Sequence, residues 1–261
     1  MLYQLSYTPR PARPLHPPRG PRKRGLARHR PGAHPGPMRA PLPPGPRRWL
    51  KARFPGLRER AIAGNARLLS GLAARRLARV RWEVEGLDAL SHAAQRGPVL
   101  IATWHEGILL APGVLPRLPV PVASIHSPRP IGKVGSAHAA RHGLTPIEMR
   151  AGDALSGQKA ALRWTRSGGA LVMAADGPSG PPRVAKRAVV DMAAACGAGL
   201  WVARFAQPGA FRLPSWDRMI LPGGGPALAR FAPAGAPPDR RAPEEERDRA
   251  ASALTAALVA L

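Results

Sequence analysis

Polar residues with catalytic potential follow three apolar runs of the sequence. His105 follows PVLIATW, His126 lies just beyond VPVAS, and Asp176 follows ALVMAA. Because ligands gather beyond the carboxyl ends of the strands in open α/β sheets, we expect these side chains to meet at one sheet edge. A neutral histidine can take a hydroxyl proton near pH 7, so His105 is the candidate general base. Taken alone, a histidine in this position is more often structural than catalytic.

Two other patterns have a weaker chemical interpretation. His138 and His142 are four residues apart on a predicted helix, a spacing that can bind zinc. The sequence offers no third ligand and no His-Glu-x-x-His arrangement, so we interpret the pair as part of a solvated helix face and predict no metal site. The glycines at 223–225 have no Lys-Ser/Thr after them, which favours a loop over a phosphate cradle.

Four motifs occur in a defined order through the middle of the chain. They are WH at 104–105, Ser124 with His126, DGPSGP at 176–181 followed by Arg183 and Lys186, and SWDR at 215–218. In these motifs, residues 98–222 resemble the lysophospholipid acyltransferase superfamily, which has the glycerophosphate-acyltransferase-like fold. They are most similar to a bacterial branch known only as a domain of unknown function.

The resemblance implies a reaction and roles for individual residues. The superfamily transfers a fatty acyl group from a thioester of coenzyme A or acyl carrier protein (ACP) to a hydroxyl of a phospholipid precursor or glycolipid. It implies no cofactor beyond that co-substrate and no acyl-enzyme. Catalytic roles fall on His105 and Asp176. The implied substrate-binding residues are Gly177, the cations Arg150, Arg183 and Lys186, and Trp104 and Ser124. Trp104 can equally be a core residue.

The sequence departs from the superfamily pattern at two positions. Leu110 stands where the wider superfamily has the aspartate that orients the histidine, and the close branch shares this loss. Glu106 and Asp176 are the alternatives for that role. Ser179 stands where the close branch usually has arginine. These departures leave open a catalytically impaired, lipid-binding member. The SWDR segment is interpreted as a structural clasp in preference to a catalytic element.

Alternation of strand-like and helix-like segments predicts an α/β domain with a mostly parallel central sheet flanked by helices. Residues 49–79 form a predicted basic helical region, which fits either a membrane interface or a surface helix packed on its own domain. Predicted strands are 80–84, 98–104, 120–125, 170–175 and 200–205; predicted helices are 107–115, 135–142, 153–167, 187–196 and 243–261.

The first 48 residues differ in composition from residues 49–261, the predicted acyltransferase-like domain. Pro, Arg and Gly dominate this arm, and the first acidic residue is Glu59. Such a segment cannot bury enough apolar surface to offset its ordering entropy, so we predict disorder. The arm is either a basic arm for RNA or anionic lipid or, as we favour, the product of a misassigned start, with Met38 as the true beginning.

Charge and composition limit the partners and the compartment. The net charge of +25 favours polyanions, either anionic membrane lipids or nucleic acid. Nucleic acid is the less favoured partner, because no recognition module or stacking aromatic platform is evident. The single Cys196 excludes an internal disulfide, and no apolar run is long enough to cross a bilayer. We therefore expect a cytoplasmic protein, peripheral on the inner face of the inner membrane.

Overall fold

The computed structural model describes residues 57–149 and 154–261. The predicted disordered arm and the predicted cation Arg150 lie outside these residues. Within them, strands and helices alternate as the sequence predicts. The elements are α1 Leu57–Leu77, β1 Val80–Glu85, α2 Leu87–Arg96, β2 Val99–Thr103, β3 Val122–His126, α3 Pro130–Arg141, β4 Thr145–Glu148, α4 Ala154–Arg166, β5 Ala170–Ala174, α5 Arg187–Cys196, β6 Gly199–Ala206, β7 Gly225–Gly235 and α6 Glu244–Ala260.

A seven-stranded sheet in the order β1-β7-β6-β2-β5-β3-β4 forms the centre of the fold. Neighbouring strands are parallel except for β6 and β7, which are antiparallel. The predicted α/β fold with a mostly parallel sheet is therefore confirmed. Because β7 reverses direction next to β6, the connection 207–224 starts and ends at the edge where β2 and β5 also end.

Both faces of the sheet are covered, which explains why the central strands are continuous apolar runs. On β2, Ile101 faces a core that includes Leu90 of α2, Ala139 of α3 and part of α1. The adjacent Leu100 faces a second core with residues of α4, α5 and α6. Every residue of β2 is therefore buried, whichever face of the sheet its side chain points to.

The predicted helix at 107–115 is wrong. Three short 3-10 turns, His105–Gly107, Ala111–Gly113 and Leu115–Arg117, occupy the stretch between β2 and β3. Pro112 and Pro116 lack the amide hydrogens that a continuous α-helix would need, so the apolar side chains of the stretch are buried on a chain that turns repeatedly.

Three elements were not predicted from the sequence. Helix α2 is only ten residues long and rich in polar side chains, while β4 contributes one buried residue, Ile147. Strand β7 begins at Gly225, the last residue of the triple glycine that was interpreted as a loop. Helix α2 and strand β4 are short, and β7 is rich in small residues, so none of the three shows a long hydrophobic pattern in the sequence.

Helix α1 packs on α3 with small side chains and directs larger apolar ones outward. Ala66 and Ser70 are buried, whereas Leu68, Leu69 and Leu72 are 64%, 49% and 49% exposed. These three leucines therefore leave much of their apolar surface exposed on a basic helix.

Candidate functional site

His105 lies at the carboxyl end of β2 and is fixed from two sides. Its backbone amide donates to Asp176 Oδ1 at 3.0 Å, and its ring Nδ1 lies 3.1 Å from the carbonyl oxygen of Gly177. A carbonyl only accepts, so Nδ1 carries the proton and Nε2 is the basic nitrogen. Nε2 has no hydrogen-bond partner among the described residues, and the side chain is 25% exposed.

Asp176 connects the turn at His105 to the turn after β5. Its Oδ1 accepts from the His105 amide, and its Oδ2 accepts from the Arg183 amide at 3.3 Å. Burial raises the pKa of Asp176, and these two hydrogen bonds oppose the rise because they favour the charged form. Oδ1 is 4.0 Å from His105 Nδ1, so the carboxylate acts on the imidazole by charge rather than by a hydrogen bond.

The ring of His105 thus has the carbonyl of Gly177 as its hydrogen-bond partner, and Leu110 takes no part in this contact. Leu110 itself is fully buried in the core. Glu106, the other sequence candidate, directs its carboxylate away to Arg183 at 3.0 Å and to Arg212 at 2.9 Å. A backbone carbonyl has no residue-type signal, so the sequence could not reveal this contact.

Beside the histidine lies a polar cleft of about 320 Å³. Three guanidinium groups, three carboxyl groups and an indole line it, so the described lining has as many basic as acidic side chains. Sequence reasoning had not assigned Arg212 to the site. The lining residues are Glu106, Asp176, Pro182, Arg183, Arg212, Trp216, Asp217 and Arg218.

Two residues of this cleft have unusual backbone conformations. Arg183 has φ +57° and Arg218 has φ +48°, and they are the non-glycine residues with positive φ in the part of the chain that the structure describes. Left-handed backbone is disfavoured for side chains with a Cβ and often marks functional sites. Both strained positions belong to one cleft, which supports it as the functional site.

The SWDR segment lies at the cleft rather than apart from it. The ring of Trp216 stands edge-on to that of His105, with centroids 5.5 Å apart at an angle of 68°. Within the segment, the hydroxyl of Ser215 donates to Asp217, so a local clasp is present as well. The indole is therefore both part of a structured turn and a neighbour of the candidate base.

Ser124, which is buried, and His126, which is partly buried, form a hydrogen-bonded pair on β3. The Ser124 hydroxyl and His126 Nε2 are 2.7 Å apart. Burial, together with the smaller effects of the nearby His105 and His138 rings, lowers the pKa of His126 to about 4. His126 is therefore neutral at pH 7, and Ser124 has its hydroxyl engaged by this ring instead of facing the cleft lining.

The other predicted binding residues are divided between the site and the core. The Lys186 side chain lies beside Gly177, where an added Cβ would be 3.4 Å from its Cγ. Trp104 is 4% exposed and packs in the core on the α5 side of the sheet, so it is placed as a core residue.

His138 and His142 do not form the predicted solvated face. His138 is 1% exposed, and its Nε2 is 3.0 Å from the Leu109 carbonyl oxygen. The ring packs edge-on against His142, with centroids 4.8 Å apart. Within 57–149 and 154–261, no cluster of three metal-ligating side chains occurs.

Comparison with known proteins finds likeness at the level of structure and none at the level of sequence. No protein-family model matches the sequence, and no curated protein matches it. The structure is similar to the crystal structure of the 1-acyl-sn-glycerophosphate acyltransferase PlsC from Thermotoga maritima. The TM-score is 0.46 and the identity 13%, over 82% of this chain and 87% of that chain. At these values the likeness says nothing about the chemistry of the site.

Proposed function

We propose that this protein is an acyltransferase that moves a fatty acyl group from a CoA or ACP thioester to a hydroxyl of a phospholipid precursor or glycolipid. The proposal takes its reaction class from the sequence resemblance. The observation that carries it is the fixed state of His105, whose Nδ1 donates to the Gly177 carbonyl and leaves Nε2 free as a base.

In the proposed mechanism, Nε2 of His105 accepts the proton of the acceptor hydroxyl while its oxygen attacks the thioester carbonyl carbon. The resulting tetrahedral intermediate collapses, the carbon–sulfur bond breaks, and the imidazolium returns the proton to the leaving thiolate. The products are an ester and a free thiol. The Asp176 carboxylate, 4.0 Å from Nδ1, stabilises the transient imidazolium.

Cations near the base are suited to the phosphates that both substrates carry. Arg183 lines the cleft, and Lys186 lies beside Gly177. Guanidinium groups bind phosphate oxygens in pairs, whereas ammonium groups act as point charges. We propose that these two side chains bind phosphate groups of the acceptor or the donor.

The enzyme would act at the inner face of a membrane, held there by α1. Leu68, Leu69 and Leu72 expose apolar side chains on this helix, and Arg67, Arg75, Arg76 and Arg79 lie along the same stretch. An exposed apolar row among arginines suits an anionic lipid surface. No helix among the described residues is long and apolar enough to cross a bilayer.

The direct test is acyl transfer by the purified full chain and by its His105→Ala variant. The assay follows thiol release from acyl-CoA and acyl-ACP with lysophospholipid and glycolipid acceptors, and mass spectrometry identifies the ester. Loss of general base catalysis should cost about 10²–10⁴-fold in rate. His92→Ala, at an exposed histidine of α2, is the matched control and should keep full activity.

Two results would contradict the proposal. A His105→Ala variant that keeps more than about a tenth of the rate would remove the imidazole from the mechanism. If the wild-type protein binds vesicles but consumes no thioester with any acceptor, the protein is better explained as a catalytically impaired, lipid-binding member.

A further inference from the structure

One carboxylate next to the candidate base connects three parts of the chain. Glu106 follows His105 directly, and its side chain is only 16% exposed. Oε1 is 3.0 Å from Arg183 Nη2, in the turn after β5, and Oε2 is 2.9 Å from Arg212 Nη1, in the connection 207–224. A shielded carboxylate between two guanidinium groups is a stronger contact than an isolated surface ion pair.

The backbone of Glu106 contacts the same connection a second time. Its carbonyl oxygen accepts from the Ile220 amide at 2.7 Å. Ile220 is fully buried and pairs with Arg212 in an antiparallel bridge, so these two residues bring the two arms of the connection together. Glu106 therefore holds the connection 207–224 against the turn that carries His105, through both its side chain and its backbone.

Trp216 lies at the tip between those two arms. Its indole stands edge-on to the His105 ring and also packs on Gly180, where an added Cβ would be 2.7 Å from the indole Cε3. The indole is 39% exposed, so it borders the cleft. Its place beside the imidazole depends on how the connection 207–224 is docked.

We infer that Glu106 is a positioning residue that acts through Arg212 to hold Trp216 against the imidazole, completing the acceptor side of the site. This inference rests on the proposed function for its effect on turnover. In this role Glu106 does not orient His105 directly, because its carboxylate binds Arg183 and Arg212.

The first experiment measures Trp216 itself and needs no catalysis. The fluorescence of each variant is recorded with and without Trp216→Phe, and the difference isolates the emission of this indole. Glu106→Gln and Arg212→Gln should each move that emission to longer wavelength and raise its acrylamide quenching about twofold. The reason is that the tip of the connection 207–224 becomes less ordered and exposes the indole to water. The double variant should add nothing to the effect of Glu106→Gln, because that change already breaks the contact with Arg212.

The second experiment measures kinetics of the full chain with the acceptor found in the acyl-transfer assay. Glu106→Gln and Arg212→Gln should raise KM for the acceptor about tenfold with kcat changed less than about threefold. Glu85→Gln is the matched control, since it breaks an exposed carboxylate pair with Arg230 on β1 and β7. It should leave Trp216 emission and KM unchanged.

Unchanged Trp216 emission in both the Glu106 and Arg212 variants would overturn the inference, as would additive effects in the double variant. Arg212→Gln, at a partly exposed side chain, keeps the test decisive if Glu106→Gln does not fold. If the wild-type protein transfers no acyl group, the proposed function fails, and the fluorescence result alone decides whether Glu106 positions Trp216.

Discussion

At the scale of single residues, Asp176 has a structural task as well as an electrostatic one. Both of its carboxylate oxygens accept backbone amides from other parts of the chain, those of His105 and Arg183. Its side chain is almost fully buried. Removing the acceptor would leave two amide groups without partners, which is costly when they are shielded from water.

We therefore expect Asp176→Ala to lower both stability and activity. The free energy of unfolding should fall by about 1–3 kcal/mol, because the backbone amides of His105 and Arg183 both lose their acceptor. Denaturant unfolding followed by circular dichroism measures this change. Asp239→Ala is the control, because Asp239 also accepts a backbone amide, from Arg241, but is exposed. Equal stability of the two variants would contradict the assigned task.

At the scale of elements, β3 contains a histidine that resists protonation. The pKa of His126 is about 4 in the folded protein, against 6.5 in an unfolded chain, because burial and neighbouring histidines disfavour its charge. A lowered pKa means that the unfolded chain binds the proton more readily. Its contribution to stability is complete above pH 6.5 and is lost as the pH falls toward 4.

Stability should accordingly fall by about 2 kcal/mol from His126 alone between pH 7.5 and pH 5. His138 and His142, whose pKa values burial also lowers, act in the same direction. Urea unfolding at a series of pH values measures the slope. His126→Gln should flatten it, and an unchanged slope in that variant would show that other groups cause the loss.

The exposed leucines of α1 give a second prediction at this scale. Replacing Leu68, Leu69 and Leu72 with serine should weaken binding to anionic phospholipid vesicles at least tenfold, because each leucine loses its apolar transfer energy. The fold should remain, since these side chains are not buried. Val259→Ser, at an exposed apolar residue of α6, is the control for vesicle sedimentation. Unchanged binding of the triple variant would exclude α1 as the contact.

Elements with strong local patterns could be predicted from the sequence, and those defined by distant contacts could not. The run that forms β2 and the helix α5 were predicted within a residue or two, because burial on both faces and a glycine stop are visible in the sequence. Strand β7 was missed, since its small residues become a strand only between β1 and β6. The same limit concealed Arg212, which reaches Glu106 across 106 positions of sequence.

At the scale of the whole molecule, the positive charge extends well beyond the predicted arm. Residues 1–37 contain eight basic and no acidic residues, so a chain that starts at Met38 keeps a net charge of +17. A body this basic still attracts anionic surfaces. On electrostatic grounds, residues 1–37 are thus not required for attraction to an anionic membrane.

A protein that begins at Met38 should bind anionic vesicles nearly as well as the full chain. Its affinity for single-stranded RNA should fall at least tenfold if RNA binding resides in the arm, because fewer phosphates are neutralised. Fluorescence anisotropy at several salt concentrations measures RNA binding, and vesicle sedimentation measures lipid binding. RNA affinity that persists with the same salt slope would favour a nucleic-acid-binding protein.

The reversal of β7 beside β6 has an evolutionary consequence. In a strictly parallel sheet, the chain leaving β6 would have to cross one face of the sheet and reach the opposite edge before it could start the next strand. Here the connection 207–224 departs from and rejoins the sheet at one edge. Descendants of this sequence can vary the segment between Arg212 and Ile220, and so acquire new selectivity, while the buried Ile220 and the inherited scaffold stay in place.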